Sequence, residues 1–183
     1  MSSIRQYIVL LRGINVGGHN KLPMANLRNL LNNNGYTEVS TYIQSGNILL
    51  SSEKTSATIS NHIEVLIKNE FNYTIPVITI SVAELQQCFN ENPYLEFVKD
   101  IKFLHVTFLD SFPETNLIKH LNISTYNNDT FQVKRKFVYL HTPDGFAKTK
   151  FSNTQFEKQL NTKATTRNWR TVTKLIQLSQ KNN

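Results

Sequence analysis

The chain is short of cysteine, of long apolar runs and, in its C-terminal third, of acids. Cys88 is the sole cysteine among 183 residues, which excludes an internal disulfide, and no Cys/His pair has zinc-ligand spacing, so no metal site is expected. Near the N-terminus the apolar run before Arg12 is only YIVLL (Tyr7 to Leu11). That is too short for a membrane-crossing helix or the apolar region of a signal peptide. The expectation is a cytoplasmic protein with no membrane association, in which the sequons at Asn72, Asn122 and Asn128 carry no meaning. No cofactor fingerprint is present.

Acids are scarce where bases are plentiful. From Phe131 onward eleven Lys and Arg face only Asp144 and Glu157, whereas residues 1–130 carry a slight acidic excess. The formal charge of +7 is therefore concentrated in the C-terminal third, a distribution that attracts anions such as nucleotides, phosphorylated metabolites or nucleic acid, or simply solvates one face. The hydrophobic share of 39% and the absence of biased runs describe a globular chain long enough to bury most of its apolar side chains.

Alternation and helical periodicity give the element order. Arg5 to Arg12 reads as a central strand, and Pro23 suits the first turn of a helix carrying Met24, Leu27, Leu30 and Leu31. Glu38 to Gln44 alternates as a strand through Ile43, and Asn47 to Ser51 returns as its hairpin partner. Ile59, Ile63, Leu66, Ile67 and Phe71 make one helix face, and Pro76 to Ile80 is a fourth strand. Strand, helix, strand, strand, helix, strand is the split βαβ order of a ferredoxin-like unit.

From Ser81 the pattern restarts. Ser81 and Glu84 form a capping box, Ile101 to Leu109 reads as a strand, and Ser111 with Glu114 suits the start of a short helix. Thr130 to Val133 and Phe137 to His141 form a second hairpin around Lys134, Arg135 and Lys136. Ser152 to Leu160 is helical, and a last helix buries Trp169, Val172, Leu175 and Ile176. The final strand of this half is missing or very short. The expected fold is α+β, two similar ferredoxin-like (βαββαβ-type) subdomains packed as one body, with residues 1–80 as the first and 81–183 as the second.

In such a unit strands 1 and 2 run the same way, so the loop after the first and the turn after the second emerge at one edge of the sheet. Gly13 to Lys21 should then neighbour Ser45 to Asn47. Together they offer Arg12, Asn15, Lys21, Ser45 and Asn47, with backbone amides of Gly13, Gly17 and Gly18 near a helix N-terminus, a set suited to an oxyanion. The loop is not a P-loop, because His19 and Asn20 stand where lysine and Ser/Thr belong, and Asn15 breaks the dinucleotide fingerprint. The alternative is that the glycines serve a tight excursion and Asn15 ties down its own backbone. Arg167 and Arg170 flank the start of the last helix, where the macrodipole disfavours cations. Either a ligand holds them there, or they pair with an acid such as Glu38 or Glu53 or stack on Trp169.

Several stretches, LLRGINVGG with Asn20 and Lys21, Met24 and Leu27, TYIQSGN (Thr41 to Asn47), Tyr139 and Leu140 with Pro143 and Gly145, and TTRNWRTV (Thr165 to Val172) with Lys174 and Leu175, resemble the bacterial family called domain of unknown function 1697. The resemblance spans nearly the whole chain and implies two similar α+β subdomains. It implies no activity. It departs at Thr149 to Phe151, where a serine is expected and Thr149 can supply the hydroxyl. It adds weight to residues 11–21, 41–47 and 165–174 as a joint site, including Asn168 and Trp169.

No carboxylate lies in those stretches, so acid/base work would fall to His19 or His141; Ser45 lacks the G-x-S-x-G context of a nucleophile, and Cys88 reads as a core residue. No catalytic residue is assigned. The leading expectation is binding of a small anionic ligand, a nucleotide or phosphorylated metabolite. Nucleic-acid binding through the basic third, without the stacking aromatics of an RNA-recognition sheet on Asn47 to Ser51, and a protein-interaction module are the alternatives. The sequence assigns no oligomeric state.

Overall fold

A computed structural model describes residues 3–123 and 125–180; Ser124 of one sequon and Lys181 of the basic tail lie outside the described residues. Contacts divide the chain into two units, residues 1–85 with 177–183, and residues 86–176.

In the first unit β1 (Arg5–Leu11), α1 (Met24–Asn33), β2 (Thr37–Tyr42), β3 (Asn47–Ser52), α2 (Ser56–Phe71) and β4 (Val77–Ser81) follow in order, and α3 (Val82–Asn90) begins directly after. The strands form an antiparallel sheet in the order β2-β3-β1-β4. Pairing runs from Arg5 opposite Ser52 to Leu10 opposite Asn47, and from Tyr7 opposite Ser81 to Leu11 opposite Val77. With β3 antiparallel to both β1 and β2, the latter two point the same way.

Side-chain alternation sends Tyr7, Val9 and Leu11 to the face covered by the helices, where Leu27, Leu31, Ile59, Ile63 and Ile67 are buried with them. Ile59, Ile63 and Ile67 recur at four-residue intervals, which keeps them on one face of α2. Burying each is worth about 2 kcal/mol, and truncating Ile63 to alanine would cost about 2–5 kcal/mol. Thr55 caps α2 by accepting from the Thr58 amide, and Asn72 closes it in the left-handed region. At α3 the Ser81 hydroxyl accepts from the Glu84 amide at 3.1 Å while the Glu84 carboxylate accepts from the Ser81 amide at 2.8 Å, the reciprocal capping box.

The second unit holds β5 (Leu104–Leu109), α4 (Thr115–Lys119), β6 (Thr130–Lys134), β7 (Phe137–His141), α5 (Asn153–Leu160) and β8 (Ala164–Asn168), and α6 (Trp169–Gln180) continues from β8 without a loop. Its sheet order, β6-β7-β5-β8, repeats that of the first element for element. The fold is thus α+β, with two ferredoxin-like units.

Local differences from the sequence reading have physical causes. The second strand stops at Tyr42, and Ile43 is half exposed with a φ of +52°, because the hairpin must turn there. Pro23 sits at the cap position of α1 rather than in its first turn. Ile101–Phe103 form a 3-10 turn, started by the Asp100 carboxylate accepting from the Lys102 amide, so the strand begins only at Leu104. Ser111 does not cap α4; its hydroxyl donates to Thr162 at 2.9 Å, and Glu114 holds the cap position. The strand expected to be missing or very short is present as the five-residue β8. Its residues lack apolar alternation, and it is held by pairing with β5 from Ala164 opposite Leu109 to Asn168 opposite His105. Arg167 therefore lies in a strand, and with Arg170 it still flanks the start of α6 at Trp169.

Candidate functional site

Two backbone bonds secure the mouth of the loop after β1. The Leu11 amide donates to the Gly46 carbonyl at 2.8 Å, and the Arg12 amide to the Pro76 carbonyl at 3.1 Å. The loop is pinned to the hairpin on one side and to the start of β4 on the other. Ile14 and Leu22, both buried, anchor its underside in the core.

Asn15 organises the interior. Its carboxamide accepts from the Leu22 amide at 2.9 Å and donates to the Leu22 carbonyl at 3.0 Å and the Gln44 carbonyl at 2.8 Å. Asn15 thus ties down its own loop and also the neighbouring turn. The Asn20 side chain donates to the Gly13 carbonyl at 3.0 Å. At the tip the His19 amide donates to the Val16 carbonyl at 3.0 Å, closing a four-residue turn. Gly17 and Gly18 occupy its centre with φ of +58° and +81°, the pair of positive angles that a type I′ turn requires.

The glycines serve different ends. A Cβ at Gly18 would meet nothing within 4 Å, so backbone angle alone selects glycine there, whereas a Cβ at Gly46 would stand 2.7 Å from the Leu11 Cβ and 2.9 Å from the Ile14 Cδ1. Gly46 is where the loop and the hairpin turn touch.

Gly13, Gly17, Gly18, His19 and Lys21 are exposed, and Arg12 and Ser45 are partly so. Asn47 is wholly buried, and its amide donates to the Tyr42 carbonyl at 3.1 Å and the Ser45 hydroxyl at 3.0 Å; its side chain braces the hairpin. The glycine tip lies just ahead of α1, whose cap residue Pro23 makes no side-chain cap bond and whose first turn holds no acid.

The C-terminal motif belongs to the second unit. Arg167 is 8% exposed and donates to the Thr165 hydroxyl and the Thr166 carbonyl, each at 2.9 Å. Burial pulls its pKa down to about 10, which leaves it cationic at neutral pH. Asn168 caps α6 by accepting from the Thr171 amide at 2.8 Å. Trp169 is 1% exposed and stacks on Phe89 with centroids 5.6 Å apart, a packing role. Arg170 is exposed. Asp100 is held below the usual carboxylate range, first by hydrogen bonds from Lys102 and least by the charge of Arg170.

Of the other candidate groups, Cys88 is buried and burial pushes its thiol pKa up, as befits a core residue. His141 is partly exposed; burial lowers its pKa against the opposing charge of Asp129. Asp129, buried, accepts from the Thr149 hydroxyl at 2.6 Å, so Thr149 uses its hydroxyl to hold a carboxylate. Among the described residues no group of three or more His, Cys, Asp or Glu could hold a metal ion, and no helix is long and apolar enough to cross a membrane.

Motif reading passes over a cleft of about 470 Å³ at the opposite end of β1, lined in part by Ser3, Arg5 and Tyr7. Their two-residue spacing on one strand face was the available signal.

Among solved structures the chain is similar to the conserved bacterial protein SP0830 from Streptococcus pneumoniae, with 22% identity over 96% of this chain and 98% of that one and a TM-score of 0.70. At that identity the likeness speaks for the fold alone. No curated protein matches the chain. A family model described as "protein of unknown function (DUF1697)" matches residues 4–139, and the chain belongs to that family.

Proposed function

We propose that the protein binds a small anionic ligand, a nucleotide or phosphorylated metabolite, at the loop between β1 and α1. The observation that carries this reading is the open start of α1. Thr55, Asp100, the Ser81/Glu84 pair, Ser152 and Asn168 provide side-chain caps at other helix starts, while Pro23 of α1, like Glu114 of the five-residue α4, provides none, and no acid stands in the first turn of α1. First-turn amides and the positive end of the helix dipole favour an anion. Lys21 is exposed just ahead of them, and Arg12 supplies a fork that suits phosphate. Preorganisation supports the reading too, because a loop already held by Asn15 and Asn20 pays little ordering entropy on binding.

The test is thermal melting of the full chain with inorganic phosphate, nucleotides and sugar phosphates. At 100 times its dissociation constant a ligand raises stability by about 2.7 kcal/mol. The expected result is a rise in wild type that disappears in the Arg12→Ala, Lys21→Ala double variant. An equal rise in both sinks the reading. Arg167 is not a suitable probe, since its guanidinium is buried.

A further inference from the structure

The cleft at the far end of β1 is built from parts that converge on one small space. Ser3, Arg5 and Tyr7 share a face of the chain entering β1, with Ser81 beside Tyr7 on β4. The opposite wall is the β3–α2 connection, Glu53 to Ser56, where α2 begins, so the Glu53 carboxylate and the Lys54 ammonium both stand on the lining. The space, about 470 Å³, falls in the range of sites for small metabolites.

Three observations fix what it would take. Tyr7 is 5% exposed, and its hydroxyl makes no hydrogen bond among the described residues. Tyr7 nevertheless lines the cleft, to which its otherwise buried ring brings a phenol as the polar group. Arg5 is exposed and forms no ion pair among the described residues. In the 16-residue α2, Thr55 takes the Thr58 amide and the Ile59 amide returns to the Thr55 carbonyl, so the Ser56 and Ala57 amides remain as first-turn donors. Glu84, also on the lining, is turned to the Ser81 amide and hydroxyl, so that carboxylate is engaged in capping α3.

We infer that this cleft is a second binding site, for a small organic oxyanion whose carboxylate or phosphate meets Arg5, the Tyr7 hydroxyl and the first-turn amides of α2. A guanidinium fork, a phenol and helix amides are all donors, and an oxyanion is the group that accepts from all three. The site stands a strand length from the loop after β1, roughly 20 Å along seven residues, so the two are separable by mutation.

Isothermal titration of the full chain with glucose 6-phosphate, inorganic phosphate and succinate tests this and separates phosphate from carboxylate. At least one probe should bind more tightly than about 1 mM. Arg5→Ala and Tyr7→Phe should each weaken it about tenfold, the loss of one charge-assisted or buried hydrogen bond. Lys21→Ala, which acts on the loop after β1, should not touch the share of binding that Arg5→Ala and Tyr7→Phe weaken. Tyr7→Phe keeps the ring and so the packing, and the amide resonances of Ser56 and Ala57 should shift on titration. The inference is overturned if no probe binds, if both cleft variants bind like wild type, or if binding is lost only in Lys21→Ala, which would assign it to the loop instead.

Discussion

The Asn15 side chain donates to the Gln44 carbonyl at 2.8 Å across 29 residues of sequence, joining the loop after β1 to the turn after β2. With two further bonds to Leu22, and a φ of +53°, Asn15 serves both as a side-chain clamp and as a left-handed backbone position. Asn15→Ala removes three hydrogen bonds, each worth about 1 kcal/mol, and should destabilise the protein by about 3 kcal/mol in denaturant unfolding. Asn15→Gly loses the same bonds without the backbone strain and should recover about 1 kcal/mol of that.

Gly46 and Gly18 separate two reasons for glycine. At Gly46 an added Cβ must displace Leu11 and Ile14 as well as adopt a φ of +77°, and Gly46→Ala should cost about 3 kcal/mol or more. At Gly18 the space is open, so Gly18→Ala should cost only about 1 kcal/mol. Equal losses in thermal melts would contradict the close approach of loop and turn.

Arg167 and Arg170 should behave differently despite their shared motif. Arg167→Met strips two hydrogen bonds from the Thr165 hydroxyl and Thr166 carbonyl and should destabilise by about 2 kcal/mol, with Arg167→Lys no full remedy because an ammonium lacks the fork. Arg170→Ala, at an exposed position, should stay within about 0.5 kcal/mol of wild type. Unfolding free energies of the three variants check this.

His105 makes stability sensitive to acid. It is 8% exposed, stacked on Phe146 with centroids 4.2 Å apart, and burial pulls its pKa from 6.5 down to about 4. The neutral ring is favoured in the folded state, so the unfolded chain binds more protons between those values. The contribution is complete above pH 6.5 and is lost as pH falls towards 4, by up to about 3 kcal/mol. His105→Phe should flatten that part of the stability profile; an unchanged slope would show that another group is responsible.

Much of the architecture is legible in the sequence, because it rests on local patterns. Ile59, Ile63 and Ile67 declare a helix face by spacing alone, Ser81 and Glu84 declare a helix start, and the order of the first six elements follows from such signals. The parallel course of β1 and β2 then implied that the glycine loop and the hairpin turn would be neighbours. β8 was not legible, since Ala164 to Asn168 is mostly polar and becomes a strand by pairing with β5. Ile43 departs from its pattern for the converse reason: a β-branched residue continues the alternation in sequence, yet the hairpin geometry puts it in the left-handed region.

The same division holds at the candidate site. Residue types and glycine spacing, which are properties of the chain, establish that Arg12 to Lys21 is a loop rich in donors that matches neither a P-loop nor a dinucleotide fingerprint. Whether each donor faces solvent depends on neighbours far away in sequence. Tertiary packing turned Asn15 and Asn47 inward as braces, buried Trp169 against Phe89, drew Arg167 into a strand, and opened a cleft beside Tyr7 that no motif marks. Exposure is decided by what packs alongside a side chain, and periodicity reports only which face of its own element that side chain occupies.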